Sequence, residues 1–304
     1  MRLEADALAK IEHENVVALH GSYETQQGIP FIVMELLIGQ TLLEYLRANR
    51  AMPIRNALVC AVDLLNGLDA VHRLGIVHRD LKPSNLFLHE LKDGVPVLKL
   101  LDFGAARVIP GISEDAPEPL ALPTRTGTTI GTPRFMSPEA MAGSRVDVRS
   151  DIYAAANVIY YMLTGRGPFD DEDPADFAGA RLTKPPPPPS RFAVEWIHPS
   201  LERAILKGLA SDPDQRFQTA HEFSQAIYEV VLEYNQDPSE GKPRELEEGA
   251  TESAVEYTVA ATGARSARHL AVRRLKQGSL LLAILLASTA MGLYAIQEWL
   301  RWWI

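Results

Sequence analysis

Cysteine is almost absent: Cys60 is the single one in 304 residues. That excludes a disulfide framework and any metal site built from several cysteines. Cys60 itself sits in an apolar helical stretch and reads as inert core. A basic excess is also lacking. Lys and Arg number 30 against 39 Asp and Glu, a net charge of −9. A general nucleic-acid binder would carry a basic face, so no nucleic-acid partner is expected. Residues 1–10 alternate charged and apolar side chains and lack the unbroken apolar run of a signal peptide, so none is expected. No repeat of solenoid period stands out, and the histidines show no metal-ligand spacing. With 46% apolar and 23% charged residues, the composition is that of an ordinary globular protein, with room for one large domain or two small ones.

One long apolar run does occur. Residues 279–296 carry no charge, and at 1.5 Å per residue they reach about 27 Å, close to the bilayer's hydrocarbon thickness. Trp299, Trp302 and Trp303 follow, as interfacial anchors would. Before the run stand Arg265, Arg268, Arg273, Arg274 and Lys276 with no acid between them. The positive-inside rule then predicts a single-pass protein of the inner (cell) membrane, its large N-terminal part cytoplasmic and a short tail, 297–304, outside. Ala283, Ser288, Ala290 and Gly292 could pair two such helices into a homodimer. Residues 235–278 read as a linker, acidic and rich in Gly, Pro, Ser and Thr at first, then basic. That leaves 1–234 as one soluble domain. The five prolines from Pro185 to Pro189 read as a stiff connector, the alternative being a ligand for a proline-reading domain.

Within the domain, residues 16–23 and 31–34 read as strands around a Gln26-Gln27-Gly28 turn. Helices are predicted over 41–49, 53–73, 151–163, 199–209 and 219–231, with Pro53, Pro199 and Thr219 at their starts. Residues 1–11 read as a helix end. Two short apolar runs, 86–88 and 98–101, flank Lys92-Asp93-Gly94 as a hairpin.

The chemistry sits in three strings. The first is His78-Arg79-Asp80-Leu81-Lys82-Pro83-Ser84-Asn85. Seventeen residues past Asn85 comes Asp102-Phe103-Gly104. The third is Gly131-Thr132-Pro133-Arg134-Phe135-Met136-Ser137-Pro138-Glu139. Their order and spacing resemble the catalytic loop, metal-binding turn and activation-segment end of protein kinases. Residues 1–233 resemble the eukaryotic-like serine/threonine protein kinases of bacteria.

The resemblance implies an α+β, two-lobed fold with a partial small lobe (1–36) and a mainly helical large lobe (37–234), followed by the transmembrane helix. It implies that Asp80 orients the acceptor hydroxyl and takes its proton, and that Lys82 neutralises the γ-phosphate of ATP. Asn85 and Asp102 would hold Mg²⁺ through hard oxygen donors. Met34 would be the gatekeeper, backbone groups of Glu35 and Leu37 would bond the purine, and Phe87 would lie beneath it. Glu4 would be the helix acid that pairs with an ATP-binding lysine. Leu8, Leu19, His78 and Phe103 would stack as a spine. Asp151 would hold the catalytic-loop backbone, and Glu139 would pair with Arg216. Thr126 and Thr128 would be phosphorylated and ordered by Arg79, while Thr132 would line the approach of protein Ser/Thr substrates.

Two parts of the family pattern are missing from the 304 residues. No G-x-G-x-x-G occurs, and no lysine precedes Lys10. The pattern is expected to continue upstream of Met1; otherwise the kinase is incomplete. As it stands the sequence predicts weak or no phosphoryl transfer. A pseudokinase scaffold that binds protein partners is the alternative function, and a membrane sensor ranks last.

Overall fold

The computed structural model describes residues 11–91, 96–102, 107–108, 134–172 and 177–236. Its strands come mostly first. β1 (Leu19–Glu24) and β2 (Pro30–Met34) form an antiparallel ribbon in which Tyr23 faces Phe31. β3 (Gly39–Thr41) leads into α1 (Leu42–Asn49). Thr41 and Glu44 cap that helix reciprocally: Glu44 N–H donates to Thr41 Oγ1 at 3.2 Å, and Thr41 N–H donates to Glu44 Oε2 at 2.8 Å. Such a box satisfies two helix-end donors at once.

α2 (Ile54–His72) is the central helix, with Leu58, Ala61, Leu64, Leu65, Leu68 and Val71 buried at helical spacing. After the short β4 (Ile76–Val77) and a 3-10 turn at Pro83–Asn85 come β5 (Leu86–His89) and β6 (Val97–Leu100). They pair antiparallel, with β3 on the other edge of β5. β7 (Arg107–Val108) pairs with β4. The predicted hairpin is therefore present, while its turn, 92–94, lies outside the described residues.

The free edge of β6 is covered by the chain just before β1. Asn15 O accepts from Leu100 N–H at 2.8 Å, and Val17 N–H donates to Leu100 O at 3.0 Å. This corrects the expected strand at 16–23: its first residues bond β6, and the strand itself starts at Leu19. α2 crosses the same place closely. A Cβ on Gly67 would lie 2.8 Å from Asn15 O and 2.3 Å from Leu100 Cδ1, so only glycine permits the approach.

The remaining helices are α3 (Pro138–Met141), α4 (Val148–Thr164), α5 (Phe177–Thr183), α6 (Pro199–Gly208) and α7 (Ala220–Gln236). α4 begins three residues before the expected start at 151, because Asp147 caps it by accepting from Arg149 N–H at 2.9 Å. The small side chains of Ala154, Ala155 and Ala156 are buried. A Cβ on Gly208 would come within 2.6 Å of Ala156 Cβ, so α4 and α6 touch through their smallest residues. Of the proline run, Pro189 is buried and opens a 3-10 turn, Pro189–Arg191. The apolar side chains of β2 from Phe31 to Met34 are exposed, as is Leu36. No helix among the described residues is long and apolar enough to cross a membrane, and residues 279–296 lie outside them.

The N-terminus of α2 receives a carboxylate: Ile54 N–H donates to Glu195 Oε2 at 3.4 Å. Burial pushes the Glu195 carboxyl up, against that bond and Arg55. A carboxyl raised in the folded state favours folding below its unfolded value and loses that contribution as pH rises through the folded value. Glu195→Gln keeps an acceptor and removes the buried charge. The variant is expected to melt higher than wild type at pH 7, with the gap closing toward pH 4. A thermal melt at both pH values checks this, and a lower melting temperature at pH 7 would contradict it.

Candidate active site

Asp151, in the first turn of α4, organises the site from below. It is almost fully buried. Its Oδ2 accepts from His78 N–H at 2.8 Å and lies 2.8 Å from His72 Nε2, and its Oδ1 accepts from Arg79 N–H at 2.9 Å. Burial alone would raise this carboxyl, but His72 and the loop amides hold it below the usual range. Arg79 takes a left-handed backbone, φ 67°. Non-glycine residues adopt that conformation only where the surroundings over-determine it, and here Asp151 does so.

The loop that Asp151 fixes carries Asp80. Lys82 Nζ donates to both Asp80 carboxylate oxygens, at 2.9 and 2.7 Å. Asn85 Nδ2 donates to Asp80 O at 2.8 Å and to Asp80 Oδ2 at 3.0 Å. Asp80 and Lys82 remain partly open to solvent. Asn85 also ties the loop to the neighbouring strand, since Leu101 N–H donates to Asn85 O at 2.8 Å. The next residue, Asp102, is again left-handed, φ 50°, and exposed. His78, fully buried, places Nε2 3.0 Å from Leu101 O. One hydrogen-bonded path therefore runs from Asp151 through His78 to the residue before Asp102.

The donor set fits Mg²⁺. Asn85 commits its amide nitrogen to Asp80; its carbonyl oxygen accepts from Ser84 Oγ at 3.3 Å and keeps a second lone pair to offer, and Asp102 adds a carboxylate; both are hard oxygen donors.

Phe87 stands on β5 opposite Lys99 of β6. Glu35 follows β2, and its N–H donates to Ala18 O at 2.9 Å. Its carboxylate accepts from Ala18 N–H at 2.8 Å and from Lys99 Nζ at 2.7 Å. Burial opposes ionisation of Glu35, but Lys99 and the Ala18 amide outweigh it and hold the carboxyl below its ordinary value. Leu37 is partly buried against the core, as is Leu19. Met34 is half exposed.

Behind the site, Arg216 grips Glu139 through two bonds of 2.8 Å each. Ser150 also donates to Glu139. Burial pushes Glu139 up, yet Arg216 and Ser150 bring it below the ordinary carboxylate value. Glu4, Leu8, Phe103, Thr126, Thr128 and Thr132 lie outside the described residues.

Three residues here escape the sequence reading: His72, Lys99 and Arg181. Arg181, on α5, is buried and donates to Met136 O at 2.5 Å and to Arg134 O. It thus braces the backbone just ahead of Ser137-Pro138-Glu139. Only burial distinguishes it from any helical arginine.

Glu35, Glu139, Asp147 and Asp151 all have lowered carboxyl values. Lowered acids stabilise the fold above their unfolded values, and the gain is lost as pH falls through the folded ones. The melting temperature should therefore drop as pH falls below about 4.5, the unfolded Glu range. A flat profile from pH 7 to pH 3 in thermal denaturation would contradict this.

Residues 1–228 match the protein kinase domain family. The chain belongs to that family, on the side of the bacterial serine/threonine kinases. Serine/threonine-protein kinase pkn3 of Myxococcus xanthus is 36% identical over 233 residues, covering 76% of this chain and 41% of that protein. PknB of Mycobacterium leprae is 35% identical over 232 residues, 75% of this chain and 35% of PknB. PknB of Mycobacterium tuberculosis is 34% identical over 242 residues, 79% and 36% respectively. The chain thus matches well under half the length of these relatives.

Proposed function

We propose that the chain is a membrane-tethered serine/threonine protein kinase that uses Mg-ATP to phosphorylate protein hydroxyls. The observation that carries this reading is the bonding of Asp80 to both Lys82 and Asn85 on a loop anchored by Asp151. In the proposed reaction Asp80 orients the acceptor hydroxyl and receives its proton. The acceptor oxygen bonds to the γ-phosphorus as the bond to ADP breaks. Lys82 balances charge on the transferred group, and positioning supplies most of the rate. Bound Mg²⁺ would neutralise phosphate charge, held by Asn85 and Asp102. Glu35 and Leu37 would bond the purine over Phe87. The relatives' names support a Ser/Thr acceptor, as does the lysine at position 82. Residues 279–296 would be the tether, and the basic residues just before them, Arg265 to Lys276, favour the cytoplasmic side for the domain.

No glycine-rich phosphate loop lies within the 304 residues, so their transfer activity is expected to be weak. The scaffold alternative draws on the same fact and differs in needing no nucleotide. The test is γ-phosphate incorporation into protein by washed membranes from cells expressing the chain, compared with its Asp80→Asn variant. Asp80-dependent phosphoserine or phosphothreonine in the membrane fraction supports the reading. Incorporation that ignores Asp80, or follows the soluble fraction, would contradict it.

A further inference from the structure

Lys99 sits three residues before Asp102 and is 9% exposed. It stands directly across from Phe87, and opposed residues of an antiparallel pair share one face of the sheet. From that face its ammonium reaches the Glu35 carboxylate at 2.7 Å. The same oxygen accepts from Ala18 N–H, and Glu35 N–H returns to Ala18 O. The residue before Ala18, Val17, bonds Leu100, which follows Lys99. The contacts therefore close into a ring: Lys99, Glu35, Ala18, Val17, Leu100. Every link but one runs through backbone, and that one is the ion pair.

We infer that Lys99 is a positioning residue for nucleotide: through Glu35 it sets the height of the 35–37 backbone above Phe87. The inference rests on the kinase reading, which assigns that backbone to the purine. A largely desolvated ion pair adds little net stability but fixes position, and position is what a purine slot needs. The geometry also assigns the two partners unequal burdens. The Glu35 side chain is 26% exposed and can stay wet without its partner, whereas Lys99 is enclosed.

The test uses the full chain, Lys99→Met and, as a second variant with the acceptor oxygen kept, Glu35→Gln. Methionine preserves the length and apolar stem of the lysine. Two readouts are taken: the Kd for Mg-ADP and the exchange rate of the Ala18 amide without nucleotide. The expected result is an affinity loss of about tenfold in each variant, together with faster Ala18 exchange. In any transfer assay the KM for ATP rises more than kcat falls. The double variant should bind no worse than the weaker single one, because both remove one interaction. Unchanged affinity and unchanged exchange in either folded variant would overturn the inference. A wild-type chain that does not bind Mg-ADP would overturn the kinase reading instead, and Ala18 exchange alone would then decide whether the pair holds this backbone.

Discussion

Asp80→Asn is expected to bring phosphoryl transfer to background, a loss of about 10²–10⁴-fold, the range in which a positioned proton acceptor contributes. The effect has two sources. The amide cannot take the acceptor's proton. It also disturbs its neighbours, since the Asp80 carboxylate accepts from Lys82 on both oxygens and from Asn85 on one. Asparagine has one side-chain acceptor and turns an NH₂ toward a donor. Stability should change little, because the Asp80–Lys82 pair is open to water on both sides, and such pairs are worth about 0–1 kcal/mol. Activity lost with the melting temperature kept is thus the predicted signature. Turnover close to wild type would remove Asp80 from the mechanism.

Glu139→Ala should be strongly destabilising while leaving the catalytic loop's sequence intact. The Arg216 side chain is fully enclosed. Its remaining bonds go to carbonyls of Ala210, Arg149 and Ser211, and it lies 5.0 Å from the Tyr153 ring. None of these carries a compensating charge. Breaking a buried pair on one side costs about 3–5 kcal/mol, against about 5–15 kcal/mol for a whole domain. Arg216→Met should cost less: Glu139 keeps Ser150 and some water. Urea unfolding followed by circular dichroism reads both. A Glu139→Ala loss below about 1 kcal/mol would class the pair with surface ones.

Much of this was legible locally. Helical spacing placed α1, α2, α6 and the start of α7, with proline starts for α2 and α6, while α7 runs five residues past its expected end at 231; the strings around Asp80, Asp102 and Glu139 named the site. The expected start of α4 at 151 misses the capping residue Asp147, which brings Val148, Arg149 and Ser150 into the helix. The unread features all come from long-range packing. Glu35 and Lys99 are 64 residues apart, His72 and Asp151 79, Arg181 and Met136 45. An isolated lysine or arginine carries no local mark of its partner. The strand expected at 16–23 begins three residues late because Val16 and Val17 are taken by the free edge of β6, which no local pattern announces.

The central claim is that Asp80 and its neighbours transfer phosphate. Its most direct measurement is labelled γ-phosphate incorporation by the full chain with Mg-ATP, read beside Asp80→Asn and Mg-ADP binding. Slow incorporation on serine or threonine that disappears in the variant is expected, with nucleotide bound by both. Absence of both transfer and Mg-ADP binding in the folded wild-type chain would contradict it and leave a kinase fold that works by binding partners.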